Sequence, residues 1–309
     1  MKVLFVTRTM FPEVHGGGDV SAFEIARAVA KTDGAQAVVC CLSEKISTPI
    51  VEVLDGVKVY RFPWKKLKWF PRLSNLEYCY WQLWKNARNV QKKEHPDLVH
   101  LLNFSSVFPL AFGFRNVPKV ATCNGPFFCL FDGAHGEKPC CKCSWSTIFN
   151  ESWSRWGVKS VLFLPYILFD SWLLRRALLS CKKLFLVSEA MAHMLSINSI
   201  PVKKLVVVHN PVSVPKRGSV RVDADTIVYA GRLSKDKGIQ FVIRALPLLP
   251  DVKFIIAGKG RFEGELRELV NDLNLNHRVE FLGFMDSKKL RSVVARAGVN
   301  VLLGTVYEA

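Results

Sequence analysis

The sequence predicts an α/β fold of two doubly wound parallel-sheet domains, the second incomplete. Three observations predict it. Short runs that are apolar on both faces alternate with segments of helical period, as in a parallel sheet covered by helices. The pattern then restarts after residue 213, giving four more strand-like runs that each end in glycine. Finally, 309 residues, 50% hydrophobic and only 22% charged, can fill two cores of ordinary size, which excludes a disordered chain.

In chain order, "KVLFVT" is the first strand, followed by the loop "RTMFPEVHGGGD". In "VSAFEIARAVAKT", Val20, Phe23, Ile25, Ala26 and Val29 make one helical face, and Asp19 is placed to cap that helix. "AQAVVCCLS" and "VKVYRF" are further strands, and "YCYWQLWKNARNVQKK" is an amphipathic helix carrying Tyr78, Trp81 and Trp84. "DLVHLLNF", "KVATCN", "KLFLVS" and "LVVVHN" complete a first domain over residues 1–213. "HNPVSVPKRGSVRVDAD" has no helical period and reads as the linker. The second domain, 220–309, holds the strands "TIVYAG", "VKFIIAG", "RVEFLG" and "VNVLLG". Helical segments "GIQFVIRALPLL", "RFEGELRELVNDL" and "SKKLRSVVARA" separate them.

The chain carries 43 Lys and Arg against 26 Asp and Glu, a net +17, which calls for an anionic partner. Phosphorylated ligands, acidic lipid and nucleic acid all qualify by charge, but no nucleic-acid fold signature is present, so nucleic acid is not expected. "RFPWKKLKWFPR" (Arg61 to Arg72) has five basic residues, four aromatics and no acid. That mixture fits an anionic membrane surface, or single strands by stacking; an ordinary helix with core aromatics carries equal weight. The N-terminal apolar run breaks at Thr7 and Arg8, too early for a signal peptide. "VLFLPYILFDSWLL" contains Pro165 and Asp170 and has about two-thirds of the length of a membrane span. The expected location is cytoplasmic, peripheral at the inner face of the membrane, with the nine cysteines mostly reduced.

Loops at strand ends carry the candidate chemistry. "HGGGD" follows the first strand, and its glycines let backbone approach an anionic ligand at a helix start; a plain tight turn is the alternative. "AGRLSKDKGIQ" puts Arg232 and Lys237 in one loop after a parallel strand. Two fixed cations there suit a diphosphate and can stabilise its departure without a metal, but a solvated basic loop is the alternative, and charge alone favours it. "DLVHLLNF" supplies His100, which reads equally as a ligand-facing or a core histidine. "DAD" (Asp223 to Asp225) resembles a metal motif but lies in the linker ahead of a strand, so no metal is expected there. Cys129, Cys140, Cys141 and Cys143, with His135, have partial zinc spacing; reduced loop thiols are the default.

"VSEAMAHMLSINSIPVKKLVVVHNPV", "IVYAGRLSKDKGIQFVIRALPLL", "VKFIIAGKG", "RVEFLGFM" and "YEA" follow in that order. With these motifs the whole chain resembles the nucleotide-sugar glycosyltransferases of the GT-B fold, family 4 of the retaining enzymes. The resemblance is densest from Ser188 onward. It implies two Rossmann-type domains, with Arg232 and Lys237 on the donor diphosphate and Gly16, Gly17 and Gly18 facing the same phosphates. Gly258 and Gly260 fall in the donor-binding part, and Glu308 matches the first Glu of the family's Glu-x7-Glu, which contacts the transferred sugar. His100 keeps one of a His-x-His pair whose second place is Leu102, and Asn124 stands where many relatives have His. The implied substrate is a UDP- or GDP-linked sugar, with no cofactor and no metal. The implied acceptor is a hydroxyl of a glycan or lipid-linked molecule in cell-envelope glycan biosynthesis. The chain stops after Ala309, before the second Glu, so the resemblance predicts a thin second sheet with an uncovered flank, poor solubility and little sugar transfer. A non-catalytic remnant, or one subunit of a split enzyme, is the alternative.

Overall fold

The first apolar run becomes β1 (Lys2–Val6), the middle of an eight-stranded sheet ordered β10-β9-β6-β5-β1-β2-β4-β3. The computed structural model describes residues 1–13, 16–66, 72–102, 114, 116–124, 134–135, 138–139, 144–211 and 221–304. The sheet's other strands are β2 (Gln36–Ser43), β3 (Ile50–Leu54), β4 (Val57–Pro63), β5 (Leu98–Leu102), β6 (Lys119–Cys123), β9 (Lys183–Leu186) and β10 (Leu205–Val207). The two-residue β7 (Ala134–His135) and β8 (Lys138–Pro139) pair separately. All pairings of the large sheet are parallel except β3 with β4.

Period-two alternation along β1 sorts its side chains to two cores. Leu4 and Val6 pack with Leu83, Ala87 and Val90 of α2 (Arg72–Glu94), Leu178 of α4 (Ser160–Ser180) and Met191 and Leu195 of α5 (Glu189–Ile197). Val3 and Phe5 pack on the other face with Ala22, Phe23 and Ala26 of α1 (Gly17–Ala30). Helices on both faces make this doubly wound, as the sequence predicts. α3 (Trp145–Trp156) and α5 start at serine caps: Ser144 accepts from the Thr147 N–H at 3.2 Å and Ser188 from the Met191 N–H at 3.3 Å. Asp19, in contrast, does not cap α1. Gly16 holds the cap position, and the Asp19 carboxylate inside the first turn accepts the Thr9 hydroxyl at 3.0 Å.

β3 is an element the sequence reading passes over. Its alternating "IVEVL" is followed by Asp55 and Gly56, at φ 48° and 83°, the left-handed pair a two-residue hairpin needs. The described residues divide into two compact units, one of 1–135 and 144–211 and the other of 221–304 with 138–139. In the second, β11 (Asp223–Ala230), β12 (Lys253–Ala257), β13 (Val279–Gly283) and β14 (Ala297–Asn300) form a parallel sheet ordered β13-β12-β11-β14. Tyr229, Phe254 and Ile256 pack there with Val242 and Ile243 of α6 (Ile239–Ala245) and Leu266 and Val270 of α7 (Glu263–Asp272). α8 (Ser287–Arg296) leads into β14, which begins earlier than "VNVLLG" suggests, so that residues 301–304 lie beyond it. Asp223–Asp225 is not linker either: it opens β11, exposed at the amino end of the strand, where Asp223 accepts the Thr226 hydroxyl at 2.7 Å. Among the described residues, no helix is long and apolar enough to cross a membrane.

Candidate functional site

In the second sheet the strand order reverses direction between β11 and β14, and ligands of doubly wound sheets bind at the carboxyl edge where that happens. The loop leaving β11 at this edge is residues 231–238. Neighbouring backbone clamps it: Gly231 N–H donates to the Ala257 carbonyl at 2.9 Å and Leu233 N–H to the Lys259 carbonyl at 3.0 Å. Phe262 N–H donates back to the Leu233 carbonyl at 3.2 Å, the Tyr229 hydroxyl to the Arg232 carbonyl at 2.8 Å, and Gln240 Nε2 to the Lys235 carbonyl at 3.1 Å. Leu233 is buried in the core, whereas the Arg232 side chain is exposed. The backbone is held and the guanidinium is left to solvent.

Glycines permit the clamp. At Gly258 (φ 151°) a Cβ would run into the Gly231 carbonyl, and at Gly260 into that of Leu233, so both are needed for two loops to touch. Gly238, at φ 68°, lies under Leu303: a Cβ would meet the Leu303 side chain at 2.8 Å and its carbonyl closer still. The residues leaving β14 therefore pass over the start of α6, beside Lys237. Glu308 lies outside the described residues.

Lys237 stands 3.6 Å from the Asp236 carboxylate. Burial pushes the Asp236 carboxyl up, but the Ser234 hydroxyl, Lys237 and Arg232 outweigh it and hold the group below its ordinary value. Lys235, Lys259 and Arg261, which the sequence reading passed over, share this edge with Arg232 and Lys237, against Asp236 and Glu263. The signal was available: every loop after a parallel strand leaves at one edge, so basic residues after β11 and β12 are neighbours. The edge is cationic and can hold a polyanion.

In the first unit, Gly16 is extended ahead of α1 and Gly17 opens it; a Cβ at either would meet nothing within 4 Å. Gly18 follows in the first turn. Packing does not require Gly16 or Gly17, and the space they leave lies at the N-terminus of α1, the end of a helix that favours anions. The root of this loop is fixed by buried polar groups. Glu13 accepts the Ser43 hydroxyl at 2.5 Å and the Glu44 N–H at 3.0 Å; Arg61 donates to the Met10 carbonyl at 3.0 Å and to that of Phe11, and pairs with Glu52. Arg61 is thus withdrawn from the basic stretch in which the sequence placed it. Lys66 pairs with Glu44 at 2.9 Å and sits over Trp64, and Lys68, Trp69 and Phe70 lie outside the described residues.

His100 is not at a strand end. It is the third residue of β5, buried between the rings of Phe5 and Phe185, with Nε2 2.7 Å from the Thr122 hydroxyl. Burial pushes its pKa down to about 4, so the ring is neutral, and the geometry favours the core alternative over the ligand-facing one. Asn124 directly follows β6. Cys129, Cys140, Cys141 and Cys143 lie outside the described residues. The described Cys40, Cys41, Cys79, Cys123 and Cys181 are free and buried, with burial pushing the Cys41 thiol up to about 12. Among the described residues no group of His, Cys, Asp and Glu could hold a metal ion.

The family model described as Glycosyltransferase Family 4 matches residues 15–215, and that described as Glycosyl transferases group 1 matches residues 215–309. An uncharacterized glycosyltransferase of Methanocaldococcus jannaschii is 37% identical over 92 residues, 29% of this chain and 23% of the relative. The N-acetylgalactosamine-N,N'-diacetylbacillosaminyl-diphospho-undecaprenol 4-alpha-N-acetylgalactosaminyltransferase of Campylobacter jejuni is 34% identical over 92 residues, 28% of this chain and 25% of that one. Among solved structures, Anabaena HepE in complex with UDP shares the fold at a TM-score of 0.61 and 18% identity, over 100% of this chain and 75% of HepE. The matched stretches thus span about a quarter of those curated relatives.

Proposed function

Because the chain belongs to glycosyltransferase family 4, we propose that it moves a sugar from a nucleotide diphosphate donor to an acceptor hydroxyl, with retention at the anomeric carbon. The observation that carries this is the loop after β11. Its backbone is clamped on both sides while Arg232 and Lys237 stand at the cationic edge beside β14. In the reaction the acceptor oxygen bonds the anomeric carbon, the bond from that carbon to the diphosphate oxygen breaks, and the acceptor's hydroxyl proton passes to the departing diphosphate. Negative charge grows on the departing diphosphate, and Arg232 and Lys237 neutralise it in place of a metal. Glu308, by its position in the family pattern, addresses the sugar, and Gly258 and Gly260 hold the loop that presents Arg232. HepE's structure with UDP supports UDP as one donor carrier. The diphospho-undecaprenol in the Campylobacter name supports a lipid-linked acceptor of the cell envelope, met from the cytoplasm at the inner membrane face.

The test is acceptor-dependent release of nucleoside diphosphate from a panel of UDP- and GDP-sugars, with the product linkage read by NMR. An α-linked product from an α-linked donor, at a rate unchanged by EDTA, is expected. An inverted linkage, loss of transfer in EDTA, or no transfer from any nucleotide sugar would contradict the proposal.

A further inference from the structure

The outer face of α3 and α4 inverts the usual arrangement of polar and apolar residues. In α3, Glu151 and Ser152 are buried with Ile148, while Trp145, Phe149, Trp153 and Trp156 point outward. Their spacing of four, four and three puts all four on one stripe of the helix. The next residues continue the surface: Val158, Val161, Leu162, Phe169 and Trp172 are exposed, Leu162 at 80% and Trp145 at 74%. The rings of Phe149 and Trp153 stack at 5.8 Å and those of Phe169 and Trp172 at 5.9 Å. Exposed apolar residues scattered singly are ordinary, but eight on two helices packed against each other, with Val158 in the turn between them, are not.

The chemistry of the face selects its occupant. Four of the chain's eight tryptophans lie on it, a residue suited to the boundary between headgroups and acyl chains. Cations border it: Lys159 is exposed between the two helices, and the Arg176 guanidinium lies 5.1 Å over the Trp172 ring. The acid of α3, Glu151, is turned inward, so among the described side chains of 144–176 the exposed ionised groups are positive. No described helix can span a bilayer, which leaves the in-plane arrangement of an interfacial helix. A protein partner would be served by the apolar area alone; the tryptophans with a cationic border fit anionic lipid.

We infer that the α3–α4 face docks on an anionic membrane surface, with Trp145, Trp153, Trp156 and Trp172 at headgroup level, Leu162 and Phe169 below them, and Lys159 and Arg176 on lipid phosphates. This deepens the membrane part of the function proposed above and rests on that part alone, being independent of the donor chemistry.

The experiment is sedimentation of the protein with vesicles of phosphatidylcholine, with and without phosphatidylglycerol, alongside tryptophan quenching by lipids brominated near the headgroup. Binding to the anionic vesicles should be roughly tenfold tighter than to neutral ones and should weaken with salt. Leu162→Glu, at a side chain exposed enough not to disturb folding, and separately Lys159→Glu with Arg176→Glu, should each lower that binding several-fold. UDP affinity and the circular dichroism spectrum should not change, which separates failure of this surface from failure of the donor site. Equal binding to both vesicle types, absence of quenching, or indifference to Leu162→Glu would overturn the inference. So would self-association without lipid that Leu162→Glu abolishes, because the face would then join two copies of the chain.

Discussion

Each unit begins with a strand, a loop and a helix at the middle of a doubly wound sheet, but the two loops are held and charged differently. Around the loop after β1 the charged groups are buried and partnered: Glu13 holds Ser43 and Glu44, and Arg61 holds the loop carbonyls and Glu52. The glycines there, Gly16 and Gly17, touch nothing. Around the loop after β11 the clamp is backbone to backbone, and the glycines that allow it, Gly258 and Gly260, touch the loop they support. Its cations are left at the sheet edge. A glycine that the fold itself requires and one that leaves open space look alike in a sequence. Only the contacts distinguish them: the first kind is required by packing, and the second leaves open space.

That distinction can be broken by substitution. Gly258→Val should have the largest effect, destabilising the second unit by roughly 3–5 kcal/mol, because both its φ and the Gly231 carbonyl exclude a side chain. Urea unfolding would show it, and a loss under about 1 kcal/mol would mean the loops part easily. Arg232→Ala comes next: UDP or GDP binding should weaken by about 1.5–3 kcal/mol with the melting temperature unchanged. Calorimetric titration checks this.

The buried charges of the first unit give a smaller, pH-dependent effect. Glu94 accepts from Lys2 at 3.1 Å, Lys58 at 2.6 Å and Tyr60 at 2.5 Å. Burial would raise its pKa, but the hydrogen bonds from Lys58, Tyr60 and Lys2 prevail and take it from 4.5 to about 2. Its contribution is present above pH 4.5 and is lost as pH falls toward 2. Lys58 is 43% exposed, so about 1–2 kcal/mol is expected, and Glu94→Gln should flatten that part of the stability profile. His100, depressed by burial from 6.5 to about 4, adds a loss at milder acidity, because the unfolded chain takes up the proton first as pH falls between those values. His100→Gln should remove it. The smallest effect is for Gly16→Ala, with stability within about 0.5 kcal/mol of the parent and reduced sugar transfer. An equal drop in stability and transfer would make Gly16 a structural residue.

Much of this was legible in the sequence. Runs such as "KVLFV" and "KVATC" are short and bounded by polar residues, which suits interior strands, and a second set of such runs makes the second sheet. That Arg232 and Lys237 leave at the carboxyl edge of the sheet was legible from their place after a parallel strand. Charge alone left a solvated loop the stronger reading, and the diphosphate role came from the resemblance. β3 was missed although Asp55-Gly56 announces its hairpin. The tryptophans of α3 keep a helical period, but a pattern of apolar residues does not say which way it faces, and here Glu151 and Ser152 take the inside. His100 was equally ambiguous: that its ring sits between Phe5 and Phe185 depends on strand order, which no local pattern encodes.

The central claim, that the edge beside Arg232 and Lys237 binds a diphosphate, is tested most directly by titrating the protein with UDP, GDP and the corresponding nucleosides at low and high salt. Diphosphates should bind at least tenfold tighter than nucleosides, with an advantage that shrinks with salt and is lost in the Arg232→Ala, Lys237→Ala double variant. Nucleoside and diphosphate binding equally well, or a double variant that still prefers the diphosphate, would contradict it.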